Sequence, residues 1–80
     1  MSTKYNVYVL RFQWISGGWD VDDELLGVFS APEKAMDYVR RKTGQNKPWT
    51  PHNHRLTQDG TFDEDDGKFV ISSWTLNEGL

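Results

Sequence analysis

From Tyr5 to Trp14, apolar side chains alternate as a β-strand requires. Tyr8, Leu10, Phe12 and Trp14 share one side, while Tyr5, Val7 and Val9 share the other until Arg11 and Gln13 turn it polar. A strand apolar on both sides at its start belongs inside a sheet. Ile15-Ser16-Gly17-Gly18-Trp19-Asp20 breaks the alternation, and the paired glycines predict a turn. A second strand, from about Asp23 to Phe29, then pairs back as a hairpin.

After Phe29 the period changes from two to between three and four. Ser30-Ala31-Pro32-Glu33 fits a capping box, in which the Ser30 hydroxyl accepts a first-turn amide and Glu33 reaches back. Pro32 sits in the first turn, where its missing N–H costs little. Ala31, Ala35, Tyr38, Val39 and Lys42 mark one helical face, and Asp37 and Arg41 can pair on the outside. Arg40, Arg41 and Lys42 suit the negative end of the helix dipole, and Gly44 can close it in the left-handed conformation. The spacing predicts a helix over residues 31–43.

The rest of the pattern is weaker. Gln45 to Asn53 holds Lys47-Pro48-Trp49-Thr50-Pro51 and reads as a loop, because each proline removes a ladder donor. A short strand is expected over His54–Gln58, a tight turn at Asp59-Gly60 and another at Asp66-Gly67. Lys68 to Leu76 reads as a final strand, with Phe69 and Ile71 on one side and Val70, Trp74 and Leu76 on the other. The expected fold class is α+β: an antiparallel sheet of three to four strands with one helix packed on one face, in the order strand-strand-helix-strand-strand.

Eighty residues allow one domain with a single thin core, over positions 1–80, and leave room for a shallow groove rather than a deep cofactor cavity. There is no cysteine, which excludes disulfides and thiolate metal sites and favours a reducing compartment. Met1 to Asn6 does not read as a signal peptide, and no apolar run approaches a membrane span. A cytoplasmic location is expected, in the host if the protein is viral, with no membrane partner.

Net charge is −3, which argues against simple coating of nucleic acid, but the charge is unevenly placed. Residues 34–55 hold six cations against Asp37, and residues 56–80 hold six carboxylates against Lys68. Such a surface either orients a charged partner or serves solubility alone.

The strand Val7-Tyr8-Val9-Leu10 and the later run Leu25-Leu26-Gly27-Val28-Phe29-Ser30-Ala31-Pro32-Glu33-Lys34-Ala35 resemble a small family of bacterial and bacteriophage proteins. In that family a VYVL-like strand precedes a GVFS-x-x-EKA strand-to-helix junction, and a short hydrophobic strand closes the chain. The likeness covers most of residues 5–40 and, weakly, 68–76. It carries no assigned reaction and no catalytic residue. The resemblance implies a phage or bacterial accessory protein, of a kind that often acts by binding another protein.

Candidate chemistry is sparse. His52 and His54 could share a metal across one strand face, but the site lacks a third and fourth ligand. Aligning Gly67 with the obligatory glycine of a calcium loop puts Phe62 and Ser73 where carboxylates belong. Asp20, Asp22, Asp23 and Glu24 read as solvated turn acids, and no serine has a paired base. No enzyme activity, cofactor or metal is expected.

Eleven aromatic residues exceed what one thin core comfortably encloses. Trp19, in a glycine turn, and Trp49, between two prolines, either cap the ends of the core or stand exposed as binding hot spots. The expected binding residues are Trp19, Trp49, Arg40, Arg41, Lys47 and Arg55. The first functional reading is a non-enzymatic protein-binding domain, such as a phage-encoded inhibitor or host-interaction factor. The second is a single-stranded nucleic-acid binder that stacks bases on Trp49 and pairs phosphates with Arg40, Arg41, Lys47 and Arg55. Self-association through an exposed edge strand, the final strand being the candidate, is a third route.

Overall fold

The computed structural model describes residues 3–16 and 20–78 and has the order β1 (Thr3–Ser16), β2 (Asp20–Phe29), α1 (Pro32–Thr43), β3 (Thr50–His52), β4 (Arg55–Phe62), β5 (Asp65–Glu78). The five strands form one antiparallel sheet in the spatial order β2-β1-β5-β4-β3, with the helix across one face. The α+β class and the single helix agree with the hydrophobic pattern. The sheet has five strands rather than three or four, the extra one being β3.

β3 corrects the expectation of a loop through Asn53. Pro51 does lack a ladder donor, but β3 is an edge strand and pairs on one side only, with Pro51 opposite Leu56. The two expected glycine turns are also overturned. Asp59-Gly60 lies within β4 and Asp66-Gly67 within β5, where Gly60 and Gly67 face each other. The chain reverses instead at Asn53-His54 and at Asp63-Glu64, each a two-residue link with both φ angles positive, as in a type I′ turn.

The glycine pair has a packing role. A Cβ on Gly60 would meet the Phe69 ring at 2.8 Å, and one on Gly67 would meet the Gln13 carbonyl oxygen at 2.1 Å and the Phe12 ring at 2.8 Å. Each ring lies over a position without a side chain, so Phe12 and Phe69 approach to 4.8 Å between centroids. Phe62 packs tilted against Phe12 and edge-on to Phe69.

The helix begins one residue later than a Ser30 cap would set. Ala31 occupies the N-cap position with extended backbone and no side-chain hydrogen bond, and Pro32 follows as the first helical residue. Ser30 is thus too early to reach the first-turn amides, and its hydroxyl accepts from Lys34 Nζ at 3.0 Å. The C-terminus closes as expected: Gly44 is left-handed at φ 71°, and its N–H donates to the Arg40 carbonyl at 2.8 Å. Ala35 and Val39 are buried, and they meet Leu10, Phe12, Phe69 and Ile71 from the sheet.

β1 lies inside the sheet, as its two-sided apolar start requires, and β5 beside it is the central strand of the five. That position removes β5 as an exposed edge; the sheet's edges are β2 and β3. Register between β1 and β2 shifts at Leu10/Arg11, so Leu26 is a bulge residue and packs against the core, while Gly27 faces Leu10 and Leu25 faces Arg11. Among the described residues, no helix is long and apolar enough to cross a membrane.

Candidate functional site

One helix of twelve residues is about 18 Å long and about 10 Å across, enough to cover one side of this sheet and no more. Cross-strand register then fixes what lies on each side. The helix side carries Tyr8, Leu10, Phe12 and Trp14 opposite Ser73, Ile71, Phe69 and Gly67. The bare side carries Val7 opposite Trp74, Val9 opposite Ser72 and Val28, and Arg11 opposite Val70 and Leu25.

Six large apolar residues stand exposed among the described residues: Tyr5, Ile15, Val21, Leu25, Val28 and Trp74. All six fall on the bare side. Trp74 on β5 is 60 % exposed and Val28 on the edge strand β2 58 %, whereas Phe69 on β5 and Leu10 on β1, facing the helix, are fully buried. Val70 also points to the bare side and is only 4 % exposed, enclosed by its neighbours, so the patch has a packed floor. Its interior charge is Arg11, which pairs with Asp23 at 3.7 Å. Beyond that pair lie Gln13, Lys68 and Asp59, and then Ile15 beside Val21.

The residues expected to bind divide between other regions. Arg40, Lys47 and Trp49 line one open hollow of about 240 Å³ between the helix and the following loop, together with Glu33, Asp37 and Gln58. Trp49 and Arg40 make side-chain contacts within the fold there, and Lys47 makes one through its main chain. Trp49 is half-buried and packs against the core. The Lys47 carbonyl accepts a 2.9 Å hydrogen bond from Gln58 Nε2, the one buried polar side chain among the described residues. Arg40 and Arg41 both reach Asp37, the second at 2.7 Å. The hydrogen bond from Arg40 holds the Asp37 carboxyl below its ordinary value; partial desolvation opposes this, and the charges of Arg41 and Arg40 add to it.

Arg41 does not join that hollow. Arg55 lies apart, exposed at the start of β4 beside a different hollow lined by Pro51, His52, Asn53, His54 and Leu56. Trp19 lies outside the described residues. His52 ends β3 and His54 is the second residue of the β3–β4 turn, and among the described residues no three His, Asp or Glu side chains converge to hold a metal ion.

The bare side was the feature that the pattern of residues did not single out, although the signal was present. Val7, Val9, Val70 and Trp74 are apolar on the side opposite Leu10 and Phe69, and the sequence supplies one helix to cover two sides. No family model matches the chain, and neither a curated protein nor a solved structure matches it. The functional reading therefore rests on this geometry.

Proposed function

We propose that the chain is a non-enzymatic protein-binding domain whose contact surface is the helix-free side of its sheet. The observation that carries the reading is that the six large apolar residues exposed among the described residues all lie on that side, with Tyr5, Leu25, Val28 and Trp74 forming one patch around Val7, Val9 and Val70. A contiguous apolar patch rimmed by polar groups marks an interaction surface, since a soluble monomer gains nothing by exposing it. Trp74 and Tyr5 are the large aromatic anchors of the kind that dominate binding energy. The reading assigns no catalytic residue, cofactor or metal. The role of phage-encoded inhibitor or host-interaction factor in the cytoplasm belongs to the same proposal, supported by the likeness of residues 5–40 to accessory proteins.

The test is capture of a stoichiometric protein partner by the wild type and by two face variants, Trp74→Glu and Val28→Lys. Retention is expected with the wild type and with Arg41→Glu on the helix side, and loss with either face variant. Equal capture by all four chains would remove the face from the proposal. The nucleic-acid alternative has the weaker support: Arg40, Lys47 and Trp49 share a hollow, but Asp37 and Glu33 share it too, and Trp49 is half-buried against the core.

A further inference from the structure

We infer that the occupant of the helix-free face is a second copy of this chain, packed sheet on sheet in a two-fold dimer with the helices outward. This rests on the reading of that face as a protein-binding surface and names its partner. Size is the first argument. β1 and β5 run about 35 Å from Tyr5 to Ile15, flanked by the ten residues of β2 and the eight of β4 at about 4.8 Å spacing, so each copy offers roughly 600 Å² in projection, polar rim included. Two copies would bury about 1,200 Å², at the lower end of the range of specific, stable interfaces.

Charge is the second argument. Arg11 is already matched by Asp23 within the same copy, so the apolar part of the face carries no net charge. A second copy meets it without like-charge repulsion, and no oppositely charged partner is called for. The rim residues Arg55, Asp59 and Lys68 mix both signs. Layer architecture is the third. β1 over residues 5–9 and β5 at Val70 and Trp74 are apolar on both sides, the pattern of strands covered twice, and packing two such faces about 10 Å apart completes the second layer.

Edge pairing is the competing route to a dimer, and both edges are blunted against it. β2 carries Asp20, Asp22, Asp23, Glu24 and the Leu26 bulge, and β3 is three residues long with Pro51 at its centre.

Sedimentation equilibrium of the full chain over a wide concentration range tests the inference. The expected species has twice the 9.3 kDa chain mass, with dissociation made about tenfold easier or more by Trp74→Glu and by Val28→Lys. Far-UV circular dichroism of each variant must match the wild type; where Trp74→Glu fails that control, Val28→Lys, on the edge strand, carries the result. Arg41→Glu leaves the dimer intact. A wild type that stays monomeric, or a dimer indifferent to both face substitutions, overturns the inference. A monomeric wild type that still captures a partner through Trp74 and Val28 overturns the dimer alone and spares the face. Quenching of tryptophan fluorescence by a mixed single-stranded oligonucleotide, lost in Trp74→Glu, would overturn both.

Discussion

The two sides of the sheet are built from the same strands, yet they have opposite fates. On β5, Phe69 and Ile71 disappear beneath the helix while Trp74, three residues beyond Ile71, stands largely in solvent. On β1, Leu10 and Phe12 are sealed and Tyr5 and Ile15 are not. The apolar content of a position therefore does not report whether it is core. What decides it is the supply of covering elements, and this chain has one helix for two apolar sides. The covered side carries the buried cluster, whereas the bare side, Val70 apart, leaves its large apolar residues in solvent.

That comparison breaks most visibly under matched truncations. Phe69→Ala on the covered side is expected to cost about 3–5 kcal/mol, a large share of a small domain's stability. Trp74→Ala, which removes a larger ring from the bare side, is expected to cost under about 1 kcal/mol in dilute solution, where association contributes nothing. Urea unfolding of both variants checks this, and equal losses would mean the two sides are equivalent in the monomer.

Gly67→Ala comes next. Its Cβ would run into the Gln13 carbonyl and the Phe12 ring, so β1 and β5 must part or the ring must leave its seat. A loss of about 1–3 kcal/mol is expected from the same unfolding curves. A smaller effect follows from Gln58→Ala, at about 1 kcal/mol or slightly more, because the Lys47 carbonyl loses its buried donor. Faster amide exchange over residues 45–49 and a red-shifted Trp49 emission are the expected signs.

The smallest effect lies on the solvent side of the helix. The folded Asp37 carboxyl titrates below its unfolded value, so its contribution is present in full above about pH 4 and is lost as pH falls through the depressed value. Thermal melts should show a slight acid loss that Asp37→Asn removes. An unchanged acid limb in that variant would show the two arginine contacts to be energetically silent, as exposed pairs often are.

Much of the covered side was legible in the residues themselves. Alternation in Tyr8-Leu10-Phe12-Trp14, Pro32 in the first helical turn and Gly44 after the last one each state a local rule that the fold obeys. The errors have a common physical source. Asp59-Gly60 and Asp66-Gly67 have the composition of turns, but those glycines serve as seats for two phenylalanine rings that arrive from elsewhere in the chain. The true reversals, at Asn53-His54 and Asp63-Glu64, use residues that tolerate positive φ less well than glycine, and they are imposed by strand register. The candidate surface was hidden for a related reason. Tyr5, Leu25, Val28 and Trp74 become one patch only when β1, β2 and β5 are laid side by side, which no window along the chain displays. Trp49 is half-buried against the core for the same kind of reason, since its packing partners come from strands and a helix distant in the chain.

The adjacency of β1 and β5 at the middle of the sheet has a kinetic consequence. Thr3 pairs with Glu78, so the strands that carry most of the core are the ones farthest apart in the chain. The β1–β2, β3–β4 and β4–β5 hairpins need only local closure, but none of them assembles Leu10, Phe12, Phe69 and Ile71 until nearly the whole chain has been looped back. Folding is expected to wait on that one meeting and to run in milliseconds or slower, whatever the speed of the helix and the turns. In a stopped-flow trace, Leu10→Ala should then slow refolding, while relief of the Asp63-Glu64 turn by Glu64→Gly should act chiefly on unfolding.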